Sequence, residues 1–150
     1  MLAAKPEIRE AIRWALLTGL RRGEILAIEP HYFRGKAVYL PDSKSGKPRS
    51  VPLPPELDPK KFPFGIHPTA LSKGFQDARS KAGLPDIRFH DLRRSYATWL
   101  LQGGAGLKEV QDLLGHSNIS MTSRYLGSSV EHLRGAVKKL PSLRAGMARG

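Results

Sequence analysis

Apolar residues in the first third of the chain recur every three or four positions, the spacing of a helix with one buried side. The spacing predicts a helix over residues 7–17, with Pro6 in its first turn. The pattern breaks at Thr18 and Gly19, and a second helix is predicted over residues 22–28 with Thr18 as its cap. The apolar positions of the first helix are Ile8, Ala11, Ile12, Ala15 and Leu16.

The second half of the chain carries the same helical spacing. Gly115 stands in the usual C-terminal position of a helix, and residues 141–150 are predicted to be a flexible tail. The predicted helices cover residues 71–82, 91–102, 107–114, 120–126 and 129–140.

Between residues 30 and 55 the pattern is no longer helical. Two short strands are predicted over residues 37–40 and 49–53, and the Gly, Pro and Ser residues between them predict a turn with basic residues at its tip. The Pro-rich stretch that follows is a surface connection rather than a domain boundary. The sequence therefore predicts one domain over residues 1–140, mainly α-helical with a small antiparallel β-hairpin, an α+β fold.

The charge of the chain indicates the kind of partner it binds. Lys and Arg number 25 against 13 Asp and Glu, a net charge of +12 in 150 residues, which favours a polyanionic ligand. A membrane surface is the less favoured alternative, because the sequence has no long basic amphipathic helix or lipidation motif. With no cysteine, no signal peptide and no apolar stretch of ~20 residues, we expect a cytosolic protein without a membrane partner.

Two arginines from different parts of the chain, Arg21 and Arg93, are candidate phosphate ligands. Transfer of a phosphodiester gathers negative charge on the non-bridging oxygens, and the planar guanidinium donates two parallel hydrogen bonds to such oxygens. A solvated position at a helix start is the ordinary alternative for Arg21. Arg94 lies about 100° further round the helix than Arg93, toward DNA backbone or solvent.

Two histidines and a lysine complete the candidate proton donors. His90 lies three residues before Arg93, so both share one face at the start of a helix. His116 follows Gly115, where a packing or capping role is the ordinary alternative. Zinc binding is disfavoured because the sequence has no close pair of metal ligands. Lys44 lies in the predicted turn, where a mobile amine can protonate a leaving oxygen or contact DNA phosphate.

Tyr125 is the candidate nucleophile. A phenol is mostly protonated at neutral pH, so cationic surroundings must favour the phenolate. Tyr39 lies in a predicted strand, Tyr32 in a loop and Tyr96 on the apolar side of a helix, so these three suit the role less well.

Taken together, these residues resemble the catalytic domain of the tyrosine recombinases, the phage integrase family. The resemblance covers residues 7–127, with the motifs in the family's order and spacing. Any one of them alone is weak evidence, whereas the full series is specific. The matching stretches are TGLRRGEIL at 18–26, SKSGKPRSVPL at 43–53, HDLRRSYAT at 90–98, LLGHS at 113–117 and TSRY at 122–125.

The resemblance implies a mainly α catalytic fold and a role for each matched residue. Tyr125 would attack DNA to form a 3′-phosphotyrosine, without ATP, metal or other cofactor. Glu24 would support the first catalytic arginine. The remaining catalytic residues implied are Arg21, Lys44, His90, Arg93 and His116, and the predicted DNA contacts are Arg22, Lys47, Arg49, Arg94 and Arg124.

The resemblance also carries expectations about partners and extent. Double-stranded DNA is the expected partner, at the nucleoid of a bacterial or phage-host cell, with accessory DNA-bending proteins as further partners. Only twenty residues precede Arg21, so we expect the family's N-terminal core-binding domain to be absent from this chain. The apolar face of the helix at 129–140 favours docking on a neighbouring protomer, in a tetramer on DNA, with docking on its own domain as the alternative.

Three other functions remain open from the sequence. A type IB topoisomerase shares the cations and the tyrosine, although the hairpin length and the Leu-Gly-His motif favour a recombinase. A non-enzymatic DNA-binding protein is a second alternative, because the two short helices of residues 107–126 resemble a helix-turn-helix. A third is an inactive relative that only binds DNA.

Overall fold

The computed structural model describes residues 5–41 and 48–115, together with Val137 and Leu140. These residues form five helices and one small sheet, as the sequence predicts for a mainly α protein. The elements are α1 (Pro6–Thr18), α2 (Arg22–Ala27), β1 (Phe33–Arg34), β2 (Ala37–Leu40), β3 (Arg49–Pro52), α3 (Pro68–Lys81), α4 (Phe89–Gln102) and α5 (Leu107–Leu114), with one-turn 3-10 helices at Pro30–Tyr32 and Pro59–Lys61.

Helix α1 lies at the centre of the fold. Its residues Ala11, Trp14 and Ala15 are completely buried, and it packs chiefly against α4 and also against α3. On α4 the facing residues recur every four positions, at Leu92, Tyr96 and Leu100, which is the spacing that places side chains on one face. The candidate site described below includes Arg21, just after α1, and Arg93 on α4. Both helices are therefore held in place by the most buried part of the core.

The start of α2 differs from the prediction. Thr18 does not cap this helix: its hydroxyl donates to the Trp14 carbonyl at 2.5 Å within α1 and accepts from the Leu20 N–H at 3.3 Å, before α2 begins. Arg21 is the residue before the first turn, and its backbone N–H donates to Glu24 Oε1 at 2.8 Å. The prediction of a Thr18 cap is wrong, since the helix is closed by the carboxylate at its third position instead.

The three strands form an antiparallel sheet in the order β1-β2-β3. The hairpin of β2 and β3 is as predicted, while the two-residue β1 is too short to leave a pattern in the sequence. Val38 pairs with Val51 and Leu40 pairs with Arg49. Because cross-strand partners lie on the same face and both valines are fully buried, Arg49 begins β3 on the face turned toward the core.

The C-terminal predictions lie largely outside the described residues, as does the hairpin tip at residues 42–47. This holds for the helices at 120–126 and 129–140 and for the tail at 141–150. Two residues of the last predicted helix are described: Val137 is 3% exposed within the core of its own domain, and Leu140 packs against that core. No helix in the described part of the chain has the length and apolar character needed to cross a membrane.

Candidate active site

The first candidate arginine is held by a carboxylate one turn along α2. Arg21 donates to Glu24 through its backbone, and its Nη1 lies 3.5 Å from Glu24 Oε2. About a quarter of the Arg21 side chain, 23%, is exposed, against 9% for Glu24. Arg21 is thus tethered at its base while its guanidinium can still reach a ligand, consistent with a supporting role for Glu24.

Arg49 makes a fork-shaped ion pair with the same carboxylate. Its Nη1 lies 2.7 Å from Glu24 Oε2 and its Nη2 lies 3.0 Å from Oε1. Its Nε donates to the Leu113 carbonyl at 2.9 Å, and the side chain is only 7% exposed. The prediction that Arg49 contacts DNA phosphate does not fit this position, because the guanidinium is enclosed and each of its nitrogens has a partner inside the protein.

Arg93, the second candidate arginine, is buried, with 4% of its surface exposed. Its Nη1 donates to the Gly19 carbonyl at 2.6 Å and its Nη2 to the Leu114 carbonyl at 2.5 Å. These bonds tie α4 to the end of α1 and to the end of α5. A guanidinium carries five N–H donors, so others remain for a phosphate after both carbonyls are served.

The three arginines form a cluster with an excess of positive charge. Burial, followed by the positive charges of Arg21 and Arg49, lowers the pKa of Arg93 to about 9, while the negative charge of Glu24 opposes this shift. All three guanidinium groups remain charged at neutral pH. Three cations against the one carboxylate of Glu24 leave this partly buried cluster with a net charge of +2, which suits it to bind an anion.

Burial would raise the pKa of Glu24, but its interactions with the arginines outweigh that effect. The hydrogen bond and charge of Arg49, and the backbone N–H and charge of Arg21, leave the pKa lowered from its ordinary value of 4.5. Glu24 is therefore ionised at neutral pH and holds both arginines in place.

His90 lies in the first turn of α4 beside this cluster, on the exposed surface. Desolvation, and then the positive charges of Arg93, Arg94 and Arg21, lower the pKa of His90 from 6.5, although Asp91 acts in the opposite direction. At neutral pH the imidazole is therefore neutral, and it can donate one hydrogen bond. The structure thus brings Arg21 together with His90 and Arg93 from two separate stretches of the sequence.

Three of the four tyrosines lie in the described residues. Tyr96 is fully buried, and burial raises the pKa of its phenol, so it is a poor nucleophile. Tyr39 lies in β2 with the Arg34 guanidinium 4.4 Å above its ring, and Tyr32 ends a 3-10 helix beside the sheet. The buried phenol of Tyr96 lies near enough to Arg49 and Arg93 for their charges to act on its pKa, but the opposing effect of burial is larger. Tyr125 lies outside the described residues.

A model of the phage integrase family matches residues 66–132 of the chain. A tyrosine recombinase of Thermosipho africanus is 34% identical over 146 residues, a span that covers 86% of this chain and 50% of the relative. Tyrosine recombinase XerC of Rhizobium meliloti is 34% identical over 132 residues, covering 73% and 42%. The chain belongs to the tyrosine recombinase, or phage integrase, family. It spans half or less of the length of these two curated relatives.

The fold agrees with this assignment. The integrase of mycobacterium phage Brujita superimposes with a TM-score of 0.75 at 20% identity, over 92% of this chain and 53% of that one. The sequence-based prediction of the family and of its catalytic-domain fold is therefore confirmed.

The other predicted site residues of this family member fall into two groups. Arg22 donates to the Pro68 carbonyl at 2.8 Å and to Ser72 Oγ at 2.6 Å, which links α2 to the first two turns of α3. Arg94 is exposed beside His90. The described residues contain no group of three or more His, Asp and Glu placed to hold a metal ion. The predicted residues that lie outside the described part are Lys44, Lys47, His116, Arg124 and Tyr125.

Sequence reasoning missed the contacts that fasten the end of α5. The carbonyls of Gly19, Leu113 and Leu114 leave no trace in a motif, because every residue carries a carbonyl. The inward position of Arg49 did leave a signal: it lies two residues before Val51 on a strand, and residues two apart share a face.

Proposed function

We propose that this chain is the catalytic part of a site-specific DNA recombinase, which breaks and rejoins strands through a covalent bond to Tyr125. The phenolic oxygen of Tyr125 attacks the scissile phosphorus, and the 5′-oxygen leaves as a free hydroxyl. The DNA end is held as a 3′-phosphotyrosine. A 5′-hydroxyl of a second strand then attacks that ester, rejoins the DNA and releases the phenol.

The observation that carries the proposal is the net charge of +2 on the cluster of Arg21, Arg49, Arg93 and Glu24. Interactions between charges are stronger in a partly buried site than in water. Fixed cations there stabilise the charge that builds on the non-bridging oxygens without reorganising during the reaction. We assign Arg21 and Arg93 to those oxygens, because Arg21 keeps a partly exposed guanidinium and Arg93 has more N–H donors than its two carbonyls use. All three side-chain nitrogens of Arg49 already have partners inside the protein.

We assign hydrogen bonding to the phosphate and protonation of the leaving oxygen to three further residues. A neutral His90 donates a hydrogen bond to the phosphate without adding a charge that must be desolvated. His116 follows Gly115 directly, and Gly115 follows the residue whose carbonyl Arg93 binds, which supports a role for His116 at the same phosphate. Lys44 lies in the sequence between β2 and β3, and we assign to it the protonation of the leaving 5′-oxygen.

Double-stranded DNA is the proposed partner, at the nucleoid of the cell. Arg94, exposed beside His90, is assigned to DNA backbone, together with Arg22, Lys47 and Arg124. Affinity should fall steeply with salt, because each phosphate contact releases counterions.

Assembly into a tetramer on DNA, with accessory DNA-bending proteins, completes the proposal. The sequence predicts that the helix at residues 129–140 docks on a neighbouring protomer. Val137 and Leu140, the two described residues of that helix, pack on their own core, so assembly through those two residues would require them to leave it. Light scattering with and without DNA tests assembly, and a monomer in both conditions would contradict it.

The test of the chemistry needs no knowledge of the target site. The 150-residue chain is incubated with supercoiled plasmid in EDTA without ATP, and the reaction is stopped with detergent. We expect protein-linked DNA and relaxed topoisomers from the wild type, because the phosphotyrosine keeps the bond energy and needs neither ATP nor metal.

The matched control is Tyr125→Phe, which removes one oxygen. It should bind DNA as tightly as the wild type and form no adduct. Adducts that persist in Tyr125→Phe would show that another residue is the nucleophile. DNA binding by the wild type with neither adducts nor relaxation would contradict the proposed activity of this chain.

A further inference from the structure

The carboxyl end of α5 is fastened by arginines from two other elements. The last four carbonyls of a helix lack partners within it and must find them elsewhere. In α5 the first two of these, on Gln111 and Asp112, accept from the backbone N–H of Gly115 at 2.9 and 3.2 Å. The other two are Leu113 and Leu114, which accept from Arg49 and Arg93. Every carbonyl at this helix end is accounted for.

The backbone of Gly115 lies directly on the Arg49 side chain. A Cβ at this position would lie 2.7 Å from Arg49 Cδ and 2.8 Å from Nη1, closer than such atoms approach one another. Gly115 also has a φ of 67°, which closes the helix in the left-handed conformation that glycine favours. The chain therefore leaves α5 in contact with Arg49, one residue before His116.

Arg49 joins this helix end to the base of Arg21. Its two Nη atoms clasp Glu24 while its Nε binds Leu113, so one planar group links α2, β3 and α5. Glu24 in turn holds the backbone N–H of Arg21. Leu40, the strand partner of Arg49, is the last residue of β2 before the hairpin tip that carries Lys44.

We infer that Arg49 is a positioning residue, which holds the end of α5, and hence the start of the segment with His116 and Tyr125, against the Glu24–Arg21 pair. The inference rests on the proposed function and adds to it a residue that touches neither DNA nor the reacting atoms. A lysine cannot replace it fully, because a point-like ammonium does not reproduce a fork on Glu24 together with a third bond to Leu113.

The test compares Arg49→Met and Arg49→Lys with Arg13→Met as a matched control. Arg13 is likewise a largely buried arginine, with 13% of its side chain exposed, and it donates to a loop carbonyl, that of Glu56 at 3.0 Å, in a part of α1 without predicted site residues. For Arg49→Met we expect adduct formation on plasmid DNA to slow by about 100-fold, the effect of a small misplacement of reacting groups. Arg49→Lys should fall between Arg49→Met and the wild type, and Arg13→Met should keep the wild-type rate.

Two readouts separate positioning from DNA contact. DNA affinity and its salt dependence should be unchanged in both Arg49 variants, whereas loss of a phosphate contact would reduce the salt slope by about one. Hydrogen exchange at the amides of residues 111–115 should quicken in Arg49→Met, while exchange in α3 stays as in the wild type. If circular dichroism shows that Arg49→Met is unfolded, the affinity and exchange measurements on Arg49→Lys decide the inference instead.

The outcomes decide the inference even where the proposed function fails. A reduced salt slope with full rescue by lysine would make Arg49 a DNA contact and overturn it. Wild-type exchange at residues 111–115 in the variants would also overturn it. If the wild type forms no adduct, the proposed activity fails, and the exchange measurement alone still decides whether Arg49 holds the end of α5.

Discussion

Replacing Glu24 by Gln removes one charge from the arginine cluster with little change of shape. The amide keeps one oxygen for Arg49 but turns its NH₂ group toward a guanidinium nitrogen, so one of the two contacts at 2.7 and 3.0 Å becomes donor against donor. Loss of one partner from a buried ion pair costs about 3–5 kcal/mol. Since both side chains keep slight exposure, we expect a loss near the lower end, about 3 kcal/mol, a large part of a typical domain's stability.

The dependence of this loss on pH follows from the lowered pKa of Glu24. A carboxyl whose pKa is lower in the folded state contributes stability above its unfolded pKa of 4.5, and that contribution disappears as the pH falls through the folded pKa. The difference between wild type and Glu24→Gln should therefore be constant from about pH 6 to 7.5 and should narrow below about pH 4.5.

Urea unfolding followed by circular dichroism measures this difference at each pH. Glu29→Gln is the control, because Glu29 forms an exposed pair with His31 at 3.6 Å and its loss should change stability by less than about 0.5 kcal/mol. A loss below about 1 kcal/mol for Glu24→Gln, or a difference that does not change with pH, would refute the reasoning about the ion pair.

Three further predictions concern neighbours of this pair. Arg93→Lys should lower the free energy of unfolding by about 1–3 kcal/mol in urea, because a single ammonium nitrogen cannot take the positions of both Nη1 and Nη2, and one carbonyl is left buried without its partner. An unchanged midpoint would contradict this. Gly115→Ala should cost more than the about 1–2 kcal/mol of a left-handed backbone, since its new Cβ would lie 2.7 Å from a side-chain atom. In thermal unfolding, Gly115→Ala should have a lower Tm than Gly35→Ala, because Gly35 also has a positive φ, 62°, but has no atom close to the position of a Cβ. By NMR, His90 should titrate below its ordinary pKa of 6.5, and Arg94→Gln should raise that pKa; no upward movement would mean that Arg94 does not act on it.

The sequence predicted the helices well because their signals are local. The α5 prediction, residues 107–114 closed by Gly115, agrees with the structure at both ends, since periodicity and a terminal glycine act within a few residues. The same locality explains the family match, because each motif is a short stretch of chain. The prediction of a Thr18 cap was wrong because the residue before the first turn of α2 is Arg21, three residues further along the chain, while the Thr18 hydroxyl bonds the carbonyl of Trp14 within α1.

The position of Arg49 could not be derived from its motif, because its partners lie 25 and 64 residues away in the chain. A basic residue near a basic turn indicates DNA contact as long as only neighbours in sequence are considered. The alternation of side chains along the strand indicates instead that Arg49 faces the core, because Val51, two residues later, lies on the same face and is buried. An arginine on a core face needs partners there, and identifying them required the fold that brings Glu24 and the end of α5 together.

The two arginines assigned to the phosphate differ in how far the fold depends on them. Arg93 is almost fully buried and holds the ends of two helices, whereas Arg21 is 23% exposed at its side chain and is tied mainly through its backbone N–H. A fixed orientation is what a catalytic cation requires, since it then need not reorganise as charge develops. The same bonds mean that a change at Arg93 lowers folding and chemistry together, while a change at Arg21 acts mainly on chemistry. Equal losses of cleavage in the two variants would therefore have different causes. When cleavage rates are divided by the folded fraction, the loss of rate in Arg93 variants should become smaller, while the loss in Arg21 variants should stay the same.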